Sequence, residues 1–219
     1  MRRRRAALLV AGCCLLVLTG CGSAGSPPSP PAGVDELVVP TPDPDPADFA
    51  DAVDNPWLPL VVGASWTYTD GLDDLAVTVT EGPEIAGVAT TSVVTVGRDG
   101  ESADHYAQDV DGNVWWFGRE GEWQAGDDGA EAGLAMAADP RVGDGYRLAA
   151  VPGRTLLGEV LDLEESEAVP AGRFDGVVEV RAEVDDVVTL QYYAEGTGLV
   201  ASRPEAGDTD LELTAYDVP

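Results

Sequence analysis

From residue 57 onward, short β-branched and aromatic runs are separated by Gly, Pro, Asp and Asn, and this spacing restricts the fold more than any other feature. SWTYT (65–69), LAVTVT (75–80) and TTSVVTV (90–96) are typical runs. Most links between runs are too short for the crossover that joins parallel strands. The sequence therefore predicts an all-β domain, a mainly antiparallel meander forming a curved sheet or half-barrel of about ten or eleven strands, with one or two short helices.

Two segments favour the short helices. Asp45-Pro46 has the residue types of an N-cap and first helical position for ADFADAV, residues 47–53, and Asn55-Pro56 would end that helix. EAGLAMAA, residues 131–138, is the second candidate.

The stretch YAQDVDGNVWWFGREGEW, residues 106–123, allows a metal-binding interpretation. Asp109, Asp111, Asn113 and Glu120 have the spacing of ligands in an EF-hand calcium loop. The sixth position of such a loop requires Gly for a sharp turn, and here it is Val114, whose branched side chain resists positive φ. The flanks also have strand character, so an extended chain would carry Glu120 away from the turn. Only a weak cation contact at Asp109 and Asp111 stays open.

A hairpin is the interpretation that we favour for the same stretch. Asp111-Gly112 is a typical two-residue hairpin turn. The register would pair Val110 with Asn113, Gln108 with Trp115, Ala107 with Trp116 and Tyr106 with Phe117. That register places Tyr106, Trp115 and Phe117 on one face as an aromatic cluster.

Further hairpins are predicted near the C-terminus, with turns at Asp185-Asp186 and at Glu195 to Gly198. Tyr192 and Tyr193 are adjacent in a strand and must point to opposite faces. At least one of the two therefore faces solvent or lines a concavity.

Candidate catalytic groups are scarce. His105 is the single histidine, so a His-rich metal site is excluded, and we expect it on a strand surface. No serine lies in a Gly-x-Ser-x-Gly elbow, and no glycine-rich phosphate loop follows a strand. The many carboxylates could supply an acid/base pair, but nothing in the sequence selects two of them. We expect no enzymatic activity, no cofactor and no catalytic residue.

The net charge argues against two kinds of partner, nucleic acid and anionic lipid surfaces. Four of the twelve arginines lie in the first five residues, and there is no lysine. The chain from residue 21 onward has 8 basic and 40 acidic residues, a net charge of −32. Such a surface argues against nucleic acid and against docking on anionic lipid heads through protein charge.

The N-terminus indicates export and anchoring. Four arginines at positions 2 to 5 precede the apolar run 6–18, which is too short to span a bilayer. Leu18-Thr19-Gly20-Cys21 looks like the lipobox of bacterial lipoproteins, which implies a signal peptide over 1–20 and a diacylglyceryl (palmitate-containing) group on Cys21. Cys13 and Cys14 would be removed, so no disulfide is available.

Residues 21–48 are proline-rich and predict a disordered tether, followed by a single β-rich domain over 49–219. We expect the protein on the extracytoplasmic side of the cell membrane, held there by its lipid anchor.

Aromatic residues supply the candidate binding site. All five tryptophans fall between residues 57 and 123. The simpler interpretation is a packed core; the alternative is an apolar cavity within a curved sheet, with Trp66, Trp115, Trp116 and Tyr193 as candidate ligand-binding residues. Trp115 and Trp116 cannot both face the core, which favours a cavity-lining or exposed ring.

Five segments occur in an order that resembles a family of uncharacterised bacterial secreted proteins and lipoproteins. They are NPWLPLVVGASWTY (55–68), YAQDVDGNVWWFG (106–118), ADPRVGDGY (138–146), VPAGRFDGVVEV (169–180) and YYAEGTGLV (192–200). The resemblance implies no reaction and no catalytic residues. In architecture the predicted sheet is more loosely similar to LolA-like lipoprotein carriers and mycobacterial glycolipid-binding lipoproteins, whose half-barrels are covered by helices.

Two functions remain open at this point. The first is a non-enzymatic envelope lipoprotein that binds an apolar or amphiphilic ligand, such as a lipid, in the sheet concavity. The second is a structural or interaction module at the cell surface with an unknown protein partner.

Overall fold

The computed structural model describes residues 46–207 and 209–219, which belong to one compact unit. The predicted signal peptide, Cys21 and the tether up to residue 45 lie outside the described residues. Fourteen strands account for most of the described chain. They are β1 (Ser65–Thr69), β2 (Asp74–Ile85), β3 (Val88–Gly97), β4 (Gly100–Gln108), β5 (Val114–Arg119), β6 (Trp123–Gln124), β7 (Glu131–Met136), β8 (Gly145–Arg147), β9 (Ala149–Ala150), β10 (Leu156–Val169), β11 (Gly172–Val184), β12 (Val187–Ala194), β13 (Gly198–Pro204) and β14 (Leu211–Asp217).

The strands form one antiparallel sheet in the order β8-β10-β11-β12-β13-β14-β1-β2-β3-β4-β5-β7-β9, with β6 paired to β5. Most neighbours in the sheet are also neighbours in sequence, so the meander is confirmed. β1 lies between β14 and β2, which joins the two ends of the domain at the middle of the sheet. The observed strand number exceeds the predicted ten or eleven because Glu131–Met136, predicted as part of a helix, forms β7, and because residues 145–150 hold two short strands, β8 and β9.

The two edges of the sheet meet, so the sheet is nearly closed and barrel-like rather than a half-barrel. β8 pairs with β10, and β9 pairs with β7, while only Leu148 separates β8 from β9. The segment 145–150 is therefore shared by both edges; we call it the seam. Two glycines make room for it: a Cβ on Gly133 would lie 2.5 Å from the Arg147 carbonyl oxygen, and one on Gly158 would overlap the Tyr146 ring.

Both helix predictions need correction. Residues 131–136 of the segment 131–138 form strand β7 rather than a helix, because β7 pairs with β5 on one side and β9 on the other. Tertiary pairing outweighs the local helix preference here. In the other segment a single 3₁₀ turn, Pro46–Asp48, replaces the longer helix. The turn ends at Asp48 because Phe49 forms a β-bridge with Asp109 and the Ala50 N–H donates to the Gln108 carbonyl.

The hairpin between β4 and β5 exists, but its predicted register was wrong by one residue. The Asp109 N–H donates to the Asn113 carbonyl at 2.9 Å, so the loop is three residues long and ends at Gly112 with φ +90°. Gln108 therefore pairs with Val114, Ala107 with Trp115 and Tyr106 with Trp116. A one-residue slip moves every side chain to the other face, so Tyr106 shares its face with Trp116 and not with Trp115 and Phe117.

The other two predicted turns are confirmed. Val184 pairs with Val187 across Asp185-Asp186, and Ala194 pairs with Gly198.

Strand β5 is buried on both faces. Its burial is nearly continuous, and Phe117 on the outer face packs edge-on against Phe49 at 5.2 Å. The segment leading into β1 therefore covers the outside of β5. The Gln108 side chain holds that segment by accepting from the backbone N–H groups of Asp54 and Asn55 at 2.9 and 2.8 Å.

Candidate ligand-binding cavity

The inner face of the sheet encloses a cavity of about 320 Å³. Its wall is mainly apolar and includes Leu58, Leu60, Val77, Val93, Val180 and Leu199, which come from strands around the sheet and from the segment before β1. Inward residues alternate with outward ones along each strand, so the period of two and the closure of the sheet together create this wall.

Three of the four candidate binding residues lie in the cavity wall. Trp66, Trp116 and Tyr193 line the cavity, and Trp115 does not. The corrected register accounts for the difference, because Trp115 is on the opposite face of β5 from Trp116. Trp115 is nevertheless buried, and its indole N–H donates to Asp109 Oδ2 at 2.8 Å.

An ion pair lies in the cavity wall beside Trp116. Arg119 on β5 donates from Nε and Nη2 to the two carboxylate oxygens of Asp104 on β4, at 2.9 and 3.0 Å. The Trp116 indole N–H also donates to Asp104 Oδ1, and the guanidinium lies 5.5 Å from the centre of the Trp116 ring. Hydrogen bonding to Asp104 raises the pKa of Arg119 above its usual value. The pair is therefore charged on both members and nearly neutral as a unit.

Sequence reasoning did not find Asp104 or Arg119. Asp104 alternates with the inward-facing Tyr106, but Arg119 is two residues after the outward-facing Phe117, and only the irregularity in the β4–β5 pairing between His105 and Tyr106 brings Arg119 to the inner face. Their shared position becomes visible only when the register of β4 on β5 is known.

Tyrosine hydroxyls supply other polar groups of the interior. Tyr68 donates to the Leu199 carbonyl at 2.9 Å and Tyr193 donates to Gln191 Oε1 at 2.8 Å. Tyr106 also lines the cavity, and no described residue forms a hydrogen bond with its hydroxyl. Burial raises the pKa of Tyr68, Tyr106 and Tyr193 above the usual tyrosine value. The three hydroxyls therefore stay protonated at neutral pH and act as neutral hydrogen-bonding groups.

One end of the cavity has an acidic rim, formed by the β1–β2 and β3–β4 loops. Leu75, Thr95 and Leu211 belong both to the cavity wall and to a shallow depression between these loops. That depression is lined by Asp70, Asp73, Asp74, Asp99, Glu101 and one cation, Arg98, which is 2.8 Å from Asp73. A negative rim of this kind repels anions that approach the cavity.

The segment before β1 contributes to the cavity wall through Leu58 and Leu60. Trp66 on β1, also in the wall, donates its indole N–H to the Thr197 carbonyl at 2.7 Å.

His105 is not on the surface, contrary to the prediction. It is 4% exposed, on the face of β4 that points away from the cavity, and Nδ1 lies 2.9 Å from the Ser92 hydroxyl. The prediction failed because the sequence pattern does not reveal the cross-strand partner of the ring, Ser92 on β3. Burial lowers the pKa of His105 below the usual histidine value.

The Asp109 carboxylate organises the β4–β5 loop. It accepts from the backbone N–H groups of Asp111 and Asn113 at 3.0 and 2.9 Å, from the Asn113 amide and from the Trp115 indole. Within residues 46–207 and 209–219, no group of three or more His, Cys, Asp or Glu side chains has the arrangement of a metal site. In the same ranges no helix has the length and apolarity needed to cross a membrane.

Neither a family model nor a curated protein matches this chain. Among solved structures, the chain is similar to a candidate lipoprotein from Parabacteroides distasonis, with 13% identity and a TM-score of 0.43. The match covers 77% of this chain and 100% of that one. The family resemblance drawn from the five sequence segments stays a prediction.

Proposed function

We propose that this protein is a lipid-anchored lipoprotein of the bacterial cell envelope, on the extracytoplasmic side of the membrane, that binds a small apolar or amphiphilic ligand without catalysis. The observation that carries the binding function is the cavity of about 320 Å³ inside the sheet. Ligand sites usually occupy about 300–1,000 Å³, are largely apolar and contain a few placed polar groups, and this cavity has those properties.

The residues of the cavity favour binding over catalysis. Asp104 is the one carboxylate among the described residues of its wall, and it is held by Arg119 and Trp116. A glycosidase-like mechanism requires two carboxyl groups that face the same substrate bond. His105 and Ser92 are hydrogen-bonded to each other but lie on the other face of the sheet.

The surface of the described residues gives less support to an interaction module. Its large exposed apolar side chains are aliphatic apart from Tyr216, which packs against Phe174 at a ring distance of 6.2 Å. Aromatic anchors are the usual centre of a protein interface.

Native mass spectrometry tests the binding function. The full chain is purified in nanodiscs and released in the spectrometer, where a non-covalent ligand separates from a covalent lipid. We expect a discrete ligand mass on the wild type. Val93→Phe, which places a larger ring in the cavity wall, should lose it, and Val94→Phe on the opposite face of β3 should keep it. A ligand-free mass for all three proteins, unchanged after incubation with an envelope lipid extract, would contradict the proposal.

Anchoring is tested separately by metabolic labelling with palmitate in the bacterial host. The wild type should carry label and partition into the membrane fraction, and Cys21→Ala should do neither. Equal labelling of Cys21→Ala would place the lipid elsewhere.

A further inference from the structure

Three polar groups of the cavity wall have no hydrogen bond to a described residue. Gln191 uses its Oε1 for Tyr193, which leaves its Nε2 amide, a donor only, and the Tyr106 and Thr95 hydroxyls can each donate or accept. The Asp104 carboxylate already receives Arg119 and the Trp116 indole. These groups face the cavity, where water can bind them, so a ligand that supplies an acceptor oxygen replaces that water, whereas an apolar atom would leave the donors unpaired.

Charge in and around the cavity disfavours an ionised ligand. The Arg119 guanidinium offers little to an anion, because its Nε and Nη2 already donate to Asp104. The acidic rim repels anions further. A cation would find no free carboxylate among the described residues of the wall and would have to leave water without compensation.

Volume limits the ligand further. About 320 Å³ is at the low end of known ligand sites. This volume favours a ligand with a single alkyl chain over one with two long chains.

We propose, on the basis of the binding function above, that the ligand is an uncharged single-chain amphiphile with an ester or amide carbonyl. The carbonyl oxygen accepts hydrogen bonds from Tyr106 and Gln191, and the chain lies against Val77, Val93 and Val180.

Three probes with the same ten-carbon unit test this inference: methyl decanoate, decanoate and decylammonium. The full chain in nanodiscs is titrated with each probe, followed by tryptophan fluorescence, and empty nanodiscs correct for partitioning into lipid. We expect methyl decanoate to bind about ten-fold more tightly than either ion, because decanoate would exchange its hydration for a few neutral donors beside an acidic rim, and the ammonium would find no free carboxylate in the described wall. Equal affinity for all three, or tighter binding of an ion, overturns the inference and leaves the binding function intact. Absence of binding by all three overturns both.

Two variants test which residues cause the preference for methyl decanoate over the ions. Tyr106→Phe should weaken methyl decanoate about five-fold, the value of one hydrogen bond. Asp104→Asn keeps an acceptor for Trp116 but leaves the Arg119 charge uncompensated, so decanoate should bind about ten-fold more tightly. Tyr216→Phe, at an exposed tyrosine on β14, is the control and should change neither affinity. Unchanged methyl decanoate affinity in Tyr106→Phe would show that its hydroxyl is not the donor.

Discussion

Two adjacent tryptophans are each anchored by an aspartate. Trp115 donates its indole N–H to Asp109 in the β4–β5 loop, and Trp116 donates to Asp104 on β4, at 2.8 and 3.0 Å. The two rings point to opposite faces of β5, so one carboxylate serves each face. Buried indole N–H groups need such partners, and here the partners also fix the register of β5.

Replacement of Asp109 tests this role. Asp109→Ala removes the acceptor for Trp115 and for the loop N–H groups of Asp111 and Asn113, and we expect a loss of about 2 kcal/mol in the free energy of unfolding. Asp111→Ala removes an exposed carboxylate whose oxygens have no described partner, and should cost much less. Urea denaturation of both variants measures the difference; equal losses would mean that the Asp109 hydrogen bonds do not hold the loop.

The buried histidine makes stability depend on pH. Because burial lowers the pKa of His105 in the folded state, the unfolded chain binds the proton more readily. This contribution to stability is complete above the usual histidine pKa of about 6.5 and is lost as the pH falls toward the lower folded value.

The measurement is the urea midpoint of the wild type and of His105→Gln at pH 7.5 and pH 5.5. We expect the wild-type midpoint to fall more than that of the variant, since His105 is the single histidine. Parallel changes in both proteins would assign the pH dependence to carboxylates alone.

At the scale of elements, the seam is held by few pairings. β8 contributes three residue pairs to β10 and β9 contributes two to β7, whereas β10 and β11 pair along eleven positions. Close packing on Gly133 and Gly158 adds to these pairings. The seam is therefore among the least paired parts of the closed sheet, together with β13 and β14, which share two residue pairs, and space at the two glycines is a condition for closure.

Substitution at Gly133 should open the seam. A methyl group there meets the backbone of residues 147 to 149, so Gly133→Ala should lower the free energy of unfolding by about 1–3 kcal/mol. Gly145→Ala in the same seam is the control, because a Cβ there meets nothing within 4 Å. Hydrogen exchange at 145–150 should accelerate in Gly133→Ala and stay near wild type in the control. Unchanged exchange in both would show that the backbone relaxes around the added methyl.

Several elements could be predicted from the sequence, and the exceptions have identifiable physical causes. The Asp185-Asp186 turn follows from two strongly alternating strands that leave one loop length. The β4–β5 register could not be predicted, because both a two-residue and a three-residue loop are compatible with the same sequence. The hydrogen bonds of the Asp109 side chain select the longer loop. Residues 131–138 have local preferences for a helix, and only pairing with β5 and β9 makes residues 131–136 a strand.

At the scale of the molecule, neither closure nor the cavity could be derived from the sequence. Closure depends on the seam, whose strands are too short to show a pattern. The sequence analysis named Trp66, Trp116 and Tyr193 as candidate cavity residues, because large aromatic rings in a sheet with few helices must pack against apolar surface. Asp104, Arg119 and Tyr106 were missed, since their shared interior position follows from the register and the curvature together.

Net charge predicts an effect of salt on the whole molecule. Six arginines of the described residues form ion pairs, but acidic residues exceed basic ones by 32 from residue 21 onward. Salt screens both the repulsion among the acidic residues and the attraction within these mostly exposed ion pairs. Relief of the repulsion should be the larger effect, so 0.5 M NaCl should raise the Tm by a few degrees. Tetramethylammonium chloride at the same ionic strength should act equally; a decrease of the Tm in both salts would show that the ion pairs dominate.

The rings of Trp116 and Trp123 lie 5.0 Å apart at an interplanar angle of 79°, and the first of them forms part of the cavity wall. At that separation the electronic transitions of the two indoles couple, and a coupled pair gives a split circular dichroism band that isolated tryptophans lack. The sign and size of the band depend on the angle between the rings. Occupancy of the cavity can therefore be followed optically, without a label, through any rotation of the Trp116 ring.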